Sequence, residues 1–475
     1  MTFLLRNKTI FFLIIFIGII FRFYNLNFDD LWYDEIITLW VASPEHTWKE
    51  SFEIHNKIEL NSFIYHFFLK FFFNIFEYNE HLGRYLSATF GSASLLIIPM
   101  LLKELKLNNI RNFFIFLFSF NIFLISFSQE ARLYSILFFF SILSFTYFLK
   151  IFNKKKKISS HLVFILVTTI AVILHPFALI ILFSYCLFLL LKYLNFAEIF
   201  KGLNYSIILI IIISLLFYIF FLYNLEFTNS KHYWISHPDT KFYTNLFFSK
   251  YFGSRLMGGI FLLTLIFLIS KEFKLFKNLN ILSIFLITIF FSYFLPILFG
   301  YIFKPALLSR YIIFILVPII VLTSSLINRI ENKKLKTFFF ILLFSSTLLN
   351  QFTEQTVKQF FNKRVIAKPQ YEKASNFIAE SKYKNYIIRV VDMKSDDESI
   401  NAIKNYINII NKKNNYKIHF YSKEKAKTLK EPIWIFCDQT INPKNCSLDT
   451  NFENYKILKE INFNSINLKL VKSKI

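Results

Sequence analysis

Apolar residues run almost unbroken over positions 9–24, 85–102, 113–128, 133–151, 161–174, 177–191, 204–223, 256–270, 281–303, 311–327 and 336–352. Segments that are apolar on every side predict helices buried in lipid, although several are shorter than the ~20 residues an upright crossing needs. The pattern predicts a mainly α membrane protein with about eleven transmembrane helices.

Polar positions between these runs give an orientation. Lys103, Lys106 and Arg111, then Lys154 to Lys157, Lys192 and Lys201, Lys271, Lys274 and Lys277, and Arg329, Lys333, Lys334 and Lys336 all fall on one side. The positive-inside rule makes that side cytoplasmic, together with the N-terminus. The first run also looks like a signal peptide, but no small-residue cleavage site follows it, and Arg22-Phe23-Tyr24 reads as an interfacial anchor of a retained helix. At His175-Pro176 the basic residues on both flanks favour two short helices over one kinked helix. If the eleventh helix crosses, everything after it lies outside the cell.

Near Gln351 the pattern changes. Residues 1–351 form the membrane domain, and 352–475 mix strand-like runs at 386–391, 417–420, 432–436 and 466–471 with helical stretches near 369–382 and 396–412. That alternation predicts a small C-terminal α/β soluble domain on the extracytoplasmic side, with no catalytic motif in it. Cys437 and Cys446 close a short loop there if the compartment is oxidising.

Composition sharpens this picture only in places. A chain that is 55% hydrophobic with 66 Phe in 475 residues cannot hide its apolar surface in one soluble core. The net charge of +24 comes from 54 basic and 30 acidic residues, and the positive-inside loops account for it without nucleic acid. Walker, Gly-x-Gly-x-x-Gly and Gly-x-Ser-x-Gly motifs are absent from the sequence.

The unusual polar residues gather on the predicted external face. A long first loop, 25–80, carries Phe28-Asp29-Asp30-Leu31-Trp32-Tyr33-Asp34-Glu35 straight after the first helix, and later His55, Glu59 and Tyr65. Long loops within compact architectures carry function, and carboxylates at membrane depth are functional by default. The plainer role for Asp34 and Glu35 is capping and first-turn charge for a helix from about Ile36. Arg84, Arg132 and Arg310 each open a helix from outside, where a guanidinium fork and helix N–H groups suit phosphate. Each also fits an interfacial anchor or a local partner for a carboxylate such as Glu130. His55 and Glu59 at i, i+4 give two ligands for a divalent metal, so a metal requirement stays open and no metal site is assigned.

Four short sequences carry a family resemblance: Leu31-Trp32-Tyr33-Asp34-Glu35, Gly83-Arg84-Tyr85-Leu86-Ser87-Ala88, Gln129-Glu130-Ala131-Arg132-Leu133-Tyr134 and Ser309-Arg310-Tyr311. Over roughly residues 1–350 the chain resembles the polytopic GT-C glycosyltransferases, near the bacterial protein O-mannosyltransferases and lipid A aminoarabinose transferases. The resemblance implies transfer of a sugar, with inversion, from a polyprenyl-phosphate donor to a glycan, lipid or protein acceptor of the cell envelope. It places the enzyme in the bacterial inner (plasma) membrane with its active site on the external face. Asp34 is then the general base, Glu35 positions it or the acceptor, and Arg132, Arg310, Arg84, Glu130, Tyr134, Glu59 and Tyr65 line the substrates. Where the family reads His-Pro-Pro-Leu-Tyr-Tyr, this chain has Glu59-Leu60-Asn61-Ser62-Phe63-Ile64-Tyr65, without the proline pair.

Two other classes remain open from sequence. An O-antigen ligase or polymerase would use Arg and His of a late external loop, here 224–255 with His232 and His237. A polytopic lipid-linked glycan transporter would need as many helices, but no internal repeat is visible.

Overall fold

The computed structural model describes residues 7–59, 62–76, 78–79, 81–153, 157–192, 202–223, 235, 238–246, 248–277, 279–353, 368–390, 397–421, 431–439 and 455–473. Helix α1 (Lys8–Phe23) leads into a first loop that holds three helices, α2 (Tyr33–Val41), α3 (Trp48–Ile58) and α4 (Ile64–Ile75). The membrane domain continues with α5 (Leu82–Leu105), α6 (Arg111–Ser119), α7 (Ile122–Ser128), α8 (Tyr134–Phe152), α9 (Ile158–Leu174), α10 (Leu179–Lys192) and α11 (Gly202–Tyr223). It closes with α12 (Thr240–Leu246), α13 (Arg255–Lys271), α14 (Phe273–Lys277), α15 (Ser283–Ile302), the 3-10 segment Ser309–Ile315, α16 (Leu316–Arg329) and α17 (Lys333–Thr353).

Each predicted apolar run carries helix. By length and composition, four stretches can cross a membrane: Leu82–Leu105, Tyr134–Phe152, Ser283–Ile302 and Ser309–Arg329. The bent pair α6 and α7 makes a fifth if it counts as one span. Phe12, Leu13 and Phe16 of α1, and Leu215, Leu216 and Ile219 of α11, are exposed on the outside of the bundle, as lipid-facing side chains are.

The sequence predicts one helix over 113–128, whereas the structure has two, meeting at 54°. Asn121 makes the break: its Oδ1 accepts the Leu124 N–H at 3.0 Å, capping α7, and its Nδ2 donates to the Tyr251 carbonyl at 3.0 Å. Gln351 Nε2 donates to the Phe120 carbonyl at the same bend. The turn after α9 is built the same way. His175 is extended, and its Nδ1 accepts the Phe177 N–H at 3.2 Å, so Pro176 opens a separate turn and not a kink.

The C-terminal domain has helices α18 (Tyr371–Glu380) and α19 (Asp397–Asn414) over a sheet of β1 (Asn385–Val390), β2 (His419–Phe420), β3 (Ile433–Asp438), β4 (Tyr455–Phe463) and β5 (Ile466–Ser473). The order is β2-β1-β3-β5-β4; β1 is parallel to β2 and β3, and β5 is antiparallel to β3 and β4. Strand β4 is the element the sequence pattern misses, because it is an exposed edge strand whose run Lys456-Ile457-Leu458-Lys459 shows no alternation. Cys437 on β3 is disulfide-bonded and Cys186 is a free thiol, while Cys446 lies outside the described residues.

This domain sits directly on the first loop. Tyr406 Oη accepts the Leu31 N–H at 3.1 Å, Tyr33 Oη and Ser399 Oγ are 2.7 Å apart, and Trp40 Nε1 donates to Glu398 at 3.1 Å. Glu372 N–H donates to Asp30 Oδ2 at 2.8 Å. The domain and the first loop therefore share one face of the protein.

Burial pushes the Asp30 carboxyl up to about 6, against the Glu372 N–H, which favours the charged form. A folded-state value above the unfolded one means that docking favours protonated Asp30. Its contribution is complete below about pH 4 and is lost as pH rises through 6. Amide exchange in α18, corrected for intrinsic rates, should be slower at pH 4.5 than at pH 7.5, and Asp30→Asn should remove that difference. A flat wild-type profile would refute the linkage.

Candidate active site

The site is organised around Glu35, whose side chain is fully buried. It sits in the first turn of α2, where it accepts the Trp32 N–H at 3.3 Å and so closes the helix start. Arg84 grips it bidentately, with Nε–Oε1 and Nη2–Oε2 both 2.9 Å. The Ala131 N–H reaches Oε1 at 2.8 Å, and Lys368 Nζ reaches Oε2 at 2.7 Å. Burial alone would raise this carboxyl, but Arg84 and Lys368 hold it well below the usual carboxylate range. Gly83 permits the crowding, since a Cβ there would lie 2.7 Å from that of Ala131.

Arg84 spends its remaining donors on the loop. Nη1 donates to the Leu26 carbonyl at 2.7 Å and the Asp29 carbonyl at 2.8 Å, and Nη2 to the Asp30 carbonyl at 3.0 Å. Its five N–H groups are all engaged, so none is left for a phosphate. The sequence assigns Arg84 to the substrate; the geometry makes it the clamp that shapes residues 26–35.

Asp34, one residue before Glu35, is treated quite differently. Its carboxylate is a quarter exposed, 3.4 Å from Arg310 Nη2 and 4.0 Å from Arg132 Nη2. The α-helical step of about 100° turns it from the Glu35 cluster toward these two guanidinium groups. Arg310, at the start of the 3-10 segment, lies over the Trp32 ring at 5.2 Å and the Tyr311 ring at 5.8 Å. The Trp-Tyr-Asp-Glu order thus has a physical use: Trp32 is a platform for the arginine that faces Asp34.

Arg132 is held from behind. Its Nη1 donates to Glu59 at 2.6 Å, to Thr38 Oγ1 at 2.9 Å and to the Asp34 carbonyl at 3.2 Å. Glu59 is buried, which opposes ionisation, yet Arg132 and His66 hold its carboxyl down at about 2. The sequence offers Glu59 and His55 as sugar or metal contacts, whereas Glu59 serves as the counter-ion of Arg132. The His55 and His66 rings lie 4.9 Å apart. Among the described residues no three His, Cys, Asp or Glu side chains converge on one point.

The other expected residues divide. Tyr134 is fully buried next to this pair, its ring 6.4 Å from that of Tyr311. Glu130 is partly buried, and burial raises its carboxyl despite Lys368. Tyr65 is buried with its hydroxyl 3.4 Å from Ser87 Oγ, inside the wall of the site. His232 and His237, on which the ligase alternative rests, lie outside the described residues. Two participants were missed. Lys368 stands in a lysine-rich stretch with no local signal, and His175 reads in sequence as a turn residue.

The arrangement is a half-open carboxylate facing two arginines, built at the junction of the first loop, the α7–α8 turn and the start of α16, and capped by a C-terminal domain. Comparison with solved structures identifies this fold as that of the polytopic GT-C glycosyltransferases. ArnT from Cupriavidus metallidurans bound to undecaprenyl phosphate is similar with a TM-score of 0.58 at 10% identity, covering 97% of each chain. Its apo state gives 0.56 at 10% identity over the same shares. The Archaeoglobus fulgidus oligosaccharyltransferase tethered to an acceptor peptide gives 0.53 at 10% identity, covering 92% of this chain and 70% of that one. No protein-family model and no curated protein matches the sequence. With its apolar helices and this fold, the chain is an integral membrane protein.

Proposed function

We propose that the protein transfers a sugar, with inversion, from a polyprenyl-phosphate donor to an acceptor hydroxyl on the external face of the bacterial inner membrane. The observation that carries this is the contrast among Asp34, Glu35 and Glu59. Glu35 and Glu59 are buried in tight ion pairs, and Asp34 alone of the three is partly open, facing Arg310 and Arg132. That is the geometry of a base beside a leaving-group site. ArnT bound to undecaprenyl phosphate and the oligosaccharyltransferase AglB in complex with dolichol-phosphate share the fold, which supports a lipid-phosphate donor.

In this mechanism Asp34 accepts the proton of the acceptor hydroxyl as its oxygen bonds to the anomeric carbon. The carbon–oxygen bond to phosphate breaks on the opposite side, and its electron pair leaves on the phosphate oxygen. Arg310 and Arg132 stabilise that charge. Arg310 rests on Asp34 without donor; when the phosphate arrives it takes over Arg310, releasing the base. Eleven crossings fit the same picture. The contact of the C-terminal domain with the first loop supports this reading, since ten intervening spans would put both on one side. The membrane domain then reaches through α17, and the described part of the cap begins at residue 368.

The test is incubation of the purified full-length protein with undecaprenyl- and dolichyl-phosphate sugars and a mixed envelope-glycan acceptor fraction. Release of lipid phosphate coupled to glycan labelling is expected, and activity only with nucleotide sugars would refute the reading. Arg310→Ala should raise the KM for the lipid donor by about tenfold or more. An unchanged KM would remove Arg310 from the donor site.

A further inference from the structure

His175 is 2% exposed and belongs to the turn between α9 and α10. Its Nδ1 accepts the Phe177 N–H, which assigns the ring proton to Nε2. That Nε2–H is buried, and among the described residues no acceptor reaches it. A buried donor without an acceptor is uncommon in a folded protein and asks for an explanation. The ring lies 4.8 Å from Tyr311, which carries Arg310 on one face and neighbours Tyr134. The Tyr134 hydroxyl and Arg132 Nε are likewise buried with no partner among the described residues.

These orphaned groups share one site and one character: the Arg132 and His175 nitrogens can only donate, and the Tyr134 hydroxyl can. Sugar hydroxyls both donate and accept, whereas an ionised phosphate only accepts. Resting on the function proposed above, we infer that His175, through its neutral Nε2–H, binds the phosphate of the lipid-linked donor together with Tyr134, Arg132 and Arg310. The ring stays uncharged because burial and the two arginines hold its pKa down at about 3. It therefore contributes a directed hydrogen bond without adding a third charge.

The experiment is equilibrium binding of undecaprenyl phosphate, and of undecaprenol as control, to the full-length protein in detergent. His175→Asn keeps an acceptor for the Phe177 N–H but carries no donor out to the Nε2 position. It should weaken undecaprenyl phosphate by about tenfold or more and leave undecaprenol unchanged. His175→Gln, whose longer amide offers an N–H there, should bind within about threefold of wild type. Wild-type affinity for undecaprenyl phosphate in His175→Asn would overturn the inference, as would an equal loss for undecaprenol. If the wild-type protein itself binds undecaprenyl phosphate no better than undecaprenol, the proposed function fails and not only the part given to His175.

Discussion

Asp34→Asn should lower sugar transfer by ~10²-fold or more while leaving undecaprenyl phosphate binding and thermal stability close to wild type. The amide keeps the shape of the carboxylate and still offers an oxygen to Arg310, 3.4 Å away in the wild-type protein. What it cannot do is take a proton. The side chain is a quarter exposed and outside the buried Glu35 cluster, and the amide oxygen still faces Arg310, so the loss of stability should be small beside that at Glu35. Turnover under saturating donor is the deciding measurement, because a loss confined to KM would mean that Asp34 organises the arginines and is not the base. Near-normal turnover would dismiss it altogether.

Glu35→Gln should do the opposite to stability. A neutral amide at this position strands the buried Arg84 guanidinium and Lys368 together, and breaking a buried pair in this way costs about 3–5 kcal/mol. The detergent melting transition should fall, and the first loop and C-terminal domain should become sensitive to protease together, since Glu35 joins them. Activity is lost as a consequence of that disorder. A variant that melts like wild type would show that backbone contacts alone hold the loop. Two neighbouring acids are thereby separated: one matters for the chemistry at constant stability, the other for stability first.

The helices and the acidic loop were readable because their signals are local. Uniform apolar runs mark the bundle, and Trp32, Tyr33, Asp34 and Glu35 stand out against them. The division of labour between Asp34 and Glu35 was not readable, since it depends on which arginine each side chain meets, and Arg84, Arg132 and Arg310 look alike in sequence. Glu59 and Arg132 are 73 positions apart, and Glu35 and Lys368 are 333 apart. No periodicity encodes such pairs. His175 was legible as a turn residue, which it is through Nδ1; only the surroundings of Nε2 reveal a second use. The break at Asn121 escaped for a related reason, as Asn in an apolar helix signals a cap only once Tyr251 is seen to hold it.

The bond between Lys368 and Glu35 also bears on how the protein comes into being. The ribosome delivers Glu35, Arg84 and Ala131 early, but the lysine that completes the cluster emerges only after the helix bundle has been threaded into the membrane. At ~5–20 residues per second, that interval is on the order of tens of seconds to a minute. Through it, Glu35 is held by Arg84, the Ala131 N–H and the Trp32 N–H alone. Chains released before residue 368 would therefore lack the last partner of Glu35 and the domain that covers the first loop.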